Sequence, residues 1–318
     1  MKFSPLDPSR AVTYPLAQRK SKVATETLGA VWRPGSSLRD FLAFLPRTLA
    51  ATDLLTIAHS IAEAAKGQRP VILGMGAHPI KVGLSPLIID LLDRAIVSAV
   101  AMNGAGIIHD FELAYQGATS EDVVSALRDG SFGMARETGE FLNTAVRAGV
   151  KEQGWGIGQA VGEKIVTERL PYAHLSILAA CARLSLPACV HVTVGADIIH
   201  MHPQVDGSAI GEGSLRDFYR LAGVVAHLEG GVFINLGSAV VVPEVFLKAL
   251  TLARNLGYAV KNFTTVDLDF VRQYRQSMNV VTRPTLEGGQ GFHLTGHHEI
   301  MFPLLYAAVL EELRLFQT

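Results

Sequence analysis

Apolar positions along the 318-residue chain fall into two recurring patterns. Short unbroken apolar runs alternate with longer stretches in which apolar residues return every three or four positions. The runs at 69–74 (RPVILG), 95–102, 190–194 and 231–236 (GVFINL) predict strands covered on both faces, because a half-exposed strand would alternate apolar with polar. Helical spacing predicts one or two helices over 37–66, then further helices over about 84–94, after 106, and over 158–168, 173–184, 213–228, 243–256 and 302–313. The helix at 243 carries proline in its first turn. Ser120 as an N-cap and Asp129-Gly130 as a break give two helices between 120 and 150. A further strand is predicted at 258–265 and a short one at 292–294, with a long polar loop over 273–290. This alternation predicts an α/β fold, a doubly wound parallel sheet in a single domain over 36–318. Residues 1–35, with Pro5, Pro8, Pro15 and Pro34, predict an extended N-terminal arm. Two readings of it stand equally, a strap on a neighbouring subunit and a partly disordered end.

Composition narrows the class. The chain is 49% hydrophobic with a mean hydropathy of +0.28, as strands buried between helix layers require. Its longest apolar runs, 95–102 and 230–242, are too short or too broken by glycine to span a bilayer, so no membrane partner is expected. A formal charge of −1 gives no electrostatic basis for binding nucleic acid. Cys181 and Cys189 are the only cysteines, which argues against a disulfide framework or a cysteine zinc site and for a reducing compartment. The first residues lack the apolar core of a signal peptide, so the expected location is cytoplasmic.

The chemistry concentrates in residues 187–217, PACVHVTVGADIIHMHPQVDGSAIGEGSLRD. A predicted strand there is followed by Asp197, His200, His202, Asp206 and Asp217, where open parallel sheets place their ligands. The three aspartates read either as a grip for a cationic substrate or as caps of helices and turns, Asp206-Gly207 being a common turn pair. The Asp-x-x-His-x-His spacing also has the residue types of a metal site, with His109, His297, His298 and Glu299 as residues to complete its shell, the other reading being histidines that hydrogen-bond or move protons. Two earlier strand tips, Gly74-Met75-Gly76-Ala77-His78-Pro79 and Asn103-Gly104-Ala105-Gly106, offer backbone N–H groups at helix starts, although neither matches G-x-G-x-x-G. Gly154-Trp155-Gly156-Ile157-Gly158 follows a helix rather than a strand and reads as a connection.

With the tips in this order, the chain resembles the deoxyhypusine synthase family over most of residues 65–315. The family's G-Y-T-S-N-L-I-S-S-G is similar to the ten residues from Gly74 to Gly83, and its T-A-G-G-V-E-E-D to Asn103-Gly104-Ala105-Gly106-Ile107-Ile108-His109-Asp110. Its acidic polyamine-binding region is similar to 187–217, its G-G-G-V-V to Gly237-Ser238-Ala239-Val240-Val241, its I-N-T-A to 262–265, and its F-P-L-L is present as Phe302-Pro303-Leu304-Leu305. The family's W-G-K-I lysine, which forms its covalent imine, falls at Arg283 or Pro284, and no lysine lies between 262 and 318. Arginine stays protonated and cannot replace that nucleophile. The second family glutamate is His109, and the aspartate before F-P-L-L is His297.

The resemblance implies a Rossmann-like fold, NAD as cofactor, a homo-oligomer (dimer or tetramer), and a small amine or polyamine-type substrate handled by oxidation through an imine. It does not imply authentic deoxyhypusine synthase activity. It places the cofactor at Gly74, Gly76, Ala77, His78, Asn103, Gly104, Ala105, Gly237, Ser238 and Thr264, and the amine at Asp197, Asp206 and Asp217 with Arg283 beside them. His109, His200, His202 and His297 are the candidate proton-transfer groups. Two rival readings are a metal-assisted hydrolase built on Asp197, His200 and His202, and a dinucleotide-binding protein without catalysis.

Overall fold

The computed structural model describes residues 3–315 and divides them between two units, Met1–Thr52 and Asp53–Thr318. The first unit is largely extended, with single 3-10 turns at Pro8–Arg10, Leu16–Gln18 and Thr25–Thr27 and one helix, Leu38–Phe44. Ser37 caps that helix by accepting from the Asp40 N–H (3.2 Å), and Asp40 accepts in return from the Ser37 N–H (3.0 Å). Trp32 sets its edge against Phe41 and Phe44. Phe3, Leu6, Val12 and Val31 each leave 86% or more of their surface exposed.

The second unit is built on six parallel strands: β1 (Val71–Met75), β2 (Ala99–Asn103), β3 (Ala188–His191), β4 (Val232–Leu236), β5 (Thr264–Asp269) and β6 (Gln290–Thr295). Their order is β3-β2-β1-β4-β5-β6. The chain moves outward in one direction through β2 and β3, returns to β4, and moves outward in the other direction. The carboxyl ends of β1 and β4 therefore flank the crevice in which folds of this topology hold ligands. Every residue of β1 and β4 is buried, apolar or glycine throughout except Asn235 in β4. On one face Ile72, Ala99 and Phe233 share a core with the helices Gly207–Val225 and Val241–Asn255, where Phe246 stacks on Phe233 at 3.7 Å. On the other, Val71 and Ile234 meet Ile61, Leu91, Phe302 and Val309.

Five sequence expectations are corrected. The strand expected at 258–265 lies at Thr264–Asp269, displaced because two buried polar residues, Thr265 and Asp267, break the apolar run that marks its neighbours. The loop expected over 273–290 is in part helical, a turn at Tyr274–Gln276 running into a π-helix at Ser277–Thr282 that buries Gln276, Asn279 and Val280. The fragment at 292–294 is a full six-residue strand, and the last helix starts at His298 rather than 302. The apolar run 190–194 leaves the sheet after His191, whose neighbour Asn103 ends β2, and Val194 is 74% exposed.

β3 is an edge strand, and the helix Gly207–Val225 closes its open side. Ser214 Oγ accepts from the Val192 N–H (3.2 Å) and donates to the Val190 carbonyl (3.2 Å), while Asp217 accepts from the Val190 N–H (2.9 Å). Side chains thus take the place of a seventh strand.

Candidate functional site

At the switch point the tips of β1 and β4 are reduced to backbone. The Gly76 N–H donates to the Leu236 carbonyl (3.0 Å) and the Gly237 N–H to the Leu268 carbonyl (2.9 Å). A Cβ at Gly76 would stand 2.3 Å from the Gly237 oxygen, and one at Gly237, whose φ is +66°, would stand 2.5 Å from His298. Ser238 is buried behind them. Its Oγ accepts from the Val242 N–H at the start of the helix Val241–Asn255, and its carbonyl accepts from Asn235 and Gln276.

Polar groups extend along the same edge from β4 to β6. Asn235 Nδ2 donates to Asp267 Oδ1 (2.8 Å), and His293 Nδ1 lies 3.0 Å from Asp267 Oδ2. Asp269 accepts from the Gln276 amide and lies 3.9 Å from His298 Nε2. His298, only 1% exposed, joins two partners: its Nε2 is 3.2 Å from the Leu268 carbonyl and its Nδ1 is 3.0 Å from His78 Nδ1. Burial lowers the pKa of His298 against the opposing pull of Asp269. Phe270 covers the pair, its ring 5.0 Å from His78 and 4.6 Å from His298.

The second half of the edge gathers at β2. Asn103 caps the helix Gly104–Gln116 by accepting from the Gly106 N–H (3.1 Å). The Asp197 carboxylate packs on Gly104 so closely that a Cβ there would lie 1.9 Å from Oδ2. That Oδ2 is enclosed without a donor, and His200 Nε2, which carries the proton of the neutral ring because Nδ1 accepts from the Gly195 N–H (3.1 Å), is enclosed without an acceptor. Burial raises the pKa of Asp197. An enclosed carboxylate oxygen without a partner suits a ligand hydroxyl or ammonium. It also makes the β2 tip a poor phosphate seat, which leaves the backbone tips of β1 and β4 for an anion. Close by, His109 Nδ1 meets the Thr119 hydroxyl (2.7 Å), which donates to Glu112. Burial, aided by Lys81, lowers the His109 pKa to about 4, so the ring is neutral near pH 7.

The fold therefore gathers Gly76, Ala77, His78, Gly237 and Ser238 at one tip, and Asn103, Gly104, Ala105, Asp197 and His200 at another. His297 stands at the rim beside Phe270, its side chain 69% exposed. Other predicted residues are placed elsewhere. Gly74 faces the core, where a Cβ would lie 2.6 Å from Val242. Thr264 begins β5 and lies at the opposite edge of the sheet. Asp206 is a partly exposed cap of the helix Gly207–Val225, accepting from the Ser208 and Ala209 N–H groups. Asp217 is fully buried, accepting from the Gly158 and Val190 N–H groups. His202 is buried against Gly139 and bonded to the Gly133 carbonyl (2.8 Å). Among the described residues no three of His, Cys, Asp and Glu are grouped to hold a metal ion, so Asp197, His200 and His202 do not assemble the shell weighed above. Arg283 is exposed, bonded to Asn279 and Tyr274.

Sequence reasoning assigned no role to Asn235, Asp267, Asp269, Gln276 and His293, and named His298 only as a metal ligand. One signal was available: Thr265, Asp267 and Asp269 recur at every second position of a strand, a polar stripe on one of its faces.

No family model matches the chain, and no curated protein sequence matches it. Solved structures do share its fold. A protein from Entamoeba histolytica assigned as a deoxyhypusine synthase superposes with a TM-score of 0.54 at 12% identity, over 89% of this chain and 96% of the other. ArgZ, an arginine dihydrolase from the ornithine-ammonia cycle in cyanobacteria, gives 0.51 at 14% identity over 84% of this chain. AgrE, in its ternary complex with ornithine and NAD+, gives 0.51 at 15% identity, also over 84%. The chain spans about a third of the length of these two, 34% and 33%. The resemblance to deoxyhypusine synthase read from the motifs thus extends to the fold, an α/β Rossmann-like parallel sheet. Among the described residues no helix is long and apolar enough to cross a membrane.

Proposed function

We propose that the chain is an NAD-binding enzyme that oxidises a carbon bearing an amine on a small substrate. In this reading the dinucleotide lies across the tips of β1 and β4, and Asp197 receives a hydroxyl or ammonium group of the ligands. The observation that carries it is the bare backbone at the switch point, Gly76 against Gly237, beside an enclosed and unpartnered Asp197 Oδ2. A dinucleotide fits this chain's residues there: the helix Val241–Asn255 directs its N-terminus to that tip, and Asp197 Oδ2 has no protein donor. When bound, NAD would supply the hydride acceptor. The ornithine and NAD+ held by a protein of the same fold support the choice of ligands. The absent lysine argues against transfer through a covalent enzyme imine, so the product imine would be released, cyclised or hydrolysed. The reading places the enzyme in the cytoplasm, as a homo-oligomer.

Calorimetric titration with NAD+ tests it. Saturable heat is expected from the wild-type chain. In Ala239→Asp the added carboxylate stands at a partly exposed position on the β4 tip. At about 6 Å from a phosphate and an effective dielectric constant near 20, the repulsion is roughly 3 kcal/mol, or about a hundredfold in Kd. Absence of heat from the wild type, or equal affinity in the variant, overturns the placement.

A further inference from the structure

We propose that His78 is the catalytic base of this site and that His298 is its positioning residue, fixing which ring nitrogen of His78 is free to take a proton. The inference rests on the NAD-dependent amine oxidation just proposed. It follows from the order of hydrogen bonds. The Leu268 carbonyl, 3.2 Å from His298 Nε2, can only accept, so the proton of a neutral His298 sits on Nε2. Its Nδ1 is then a lone pair. The His78 Nδ1 at 3.0 Å must donate to it, which leaves His78 Nε2 as a lone pair. That nitrogen has no partner among the described residues, and His78 is only half-buried. Burial favours the neutral form of His298 on which the chain depends.

The framework admits little alternative. Gly237 leaves no room for a side chain beside His298, and Phe270 packs against both imidazoles. The charged and titratable groups facing the pair are Asp269, His297 and Glu299. His109, also on this edge, has its Nδ1 engaged by the Thr119 hydroxyl (2.7 Å) and its pKa lowered to about 4 by burial.

The step balances as follows. His78 Nε2 takes one proton from the ammonium group of the substrate, giving the neutral amine. The neighbouring C–H bond breaks, and its electron pair leaves with the hydrogen as hydride to the oxidised dinucleotide. The nitrogen lone pair forms the C=N bond of an iminium ion. The substrate is oxidised by two electrons, the dinucleotide is reduced by two, and the proton remains on His78.

The test is a long-range proton–nitrogen correlation spectrum of the full chain carrying 15N-labelled histidine, with His78→Gln and His298→Phe assigning the signals. The expected result is opposite tautomers, Nδ1–H at His78 and Nε2–H at His298. His298→Phe removes the acceptor, and the His78 signal then shifts toward the Nε2–H form. A purely structural His298 would leave that signal where it was. A wild-type His78 protonated on Nε2 overturns the proposal, as does an unchanged His78 tautomer in His298→Phe. NAD+ titration of the same samples separates the two readings: predicted tautomers without NAD+ heat reject the dinucleotide but not the hydrogen-bond chain, and heat with reversed tautomers does the opposite. In a panel of putrescine, agmatine, spermidine and ornithine, any probe that drives NAD+ reduction should lose at least a hundredfold in rate in His78→Ala and recover part of it with added imidazole.

Discussion

Asp217 offers the sharpest quantitative test of how this fold is held together. Burial raises its pKa from an ordinary 3.8 to about 7, only partly offset by the Gly158 and Val190 N–H groups that Oδ2 accepts and by Arg220. Its Oδ1 is enclosed without a partner, so the proton has an unoccupied oxygen to bind. Between pH 4 and pH 7 the native chain holds a proton that the unfolded chain has released. Stability contributed by this group is therefore complete at low pH and is lost as pH rises through that window. A displacement from 3.8 to about 7, at 1.36 kcal/mol for each pH unit, amounts to about 4 kcal/mol. Asp110, pushed up to about 6 by burial, acts in the same direction, while His109 and His191, each lowered to about 4, act in the opposite one. The wild-type profile is thus a near cancellation, and a single substitution isolates one member. Asp217→Asn keeps an oxygen for the two N–H donors and cannot ionise. Urea unfolding at fixed protein concentration from pH 4.5 to 8.5 should show the variant close to wild type at the acid end. It should be more stable by up to about 4 kcal/mol at the alkaline end. A variant whose curve runs parallel to wild type across that range would refute the argument. Loss of NAD+ or amine binding in the variant would return Asp217 to the ligand site and remove it from the strand edge.

Gly76→Ala forces a methyl group onto the Gly237 carbonyl, 2.3 Å away with backbone on both sides. It should cost about 2–3 kcal/mol, read as a lower urea midpoint at constant m; an unchanged midpoint would show that the two tips are not in contact. Deleting residues 1–35 removes Phe3, Leu6, Val12 and Val31, all of them 86% or more exposed. If these side chains cover a neighbouring subunit, sedimentation velocity will show an oligomer for the whole chain and a smaller species after deletion; equal assembly of both would leave the arm without that role.

The sheet was legible wherever burial and apolarity coincide. β1, β2 and β4 are mainly apolar runs because both faces are covered, with Asn103 and Asn235 at or next to their carboxyl ends, and their glycine tips fall where the runs stop. β5 was misplaced for the same reason in reverse: its inward residues are polar, and a pattern that marks interior by apolarity cannot see a buried Thr265 or Asp267. The candidate site inherits that blind spot. His297 was assigned to proton transfer and His298 was named only as a candidate metal ligand, although the two are adjacent and only the second is 1% exposed and bonded to the crevice wall. Which of two neighbouring histidines turns inward is decided by where the last helix starts, and its first polar turn hid that start. Asp217 shows the complementary error. An aspartate near a predicted strand tip looks available for a ligand, yet an edge strand has its own unpaired N–H groups, and the helix that covers it must supply acceptors. Polar residues around a parallel sheet therefore divide by the direction they face. Those meeting the outer edge of β3 give an oxygen to its backbone, Ser214 Oγ and Asp217 Oδ2, and what Asp217 keeps, its Oδ1, is sealed in the core; those at the carboxyl ends of β1, β2, β4 and β5 lie along the crevice. Asp197 Oδ2 and His78 Nε2 belong to the second group. That division, more than the density of ionisable residues along the chain, locates the chemistry.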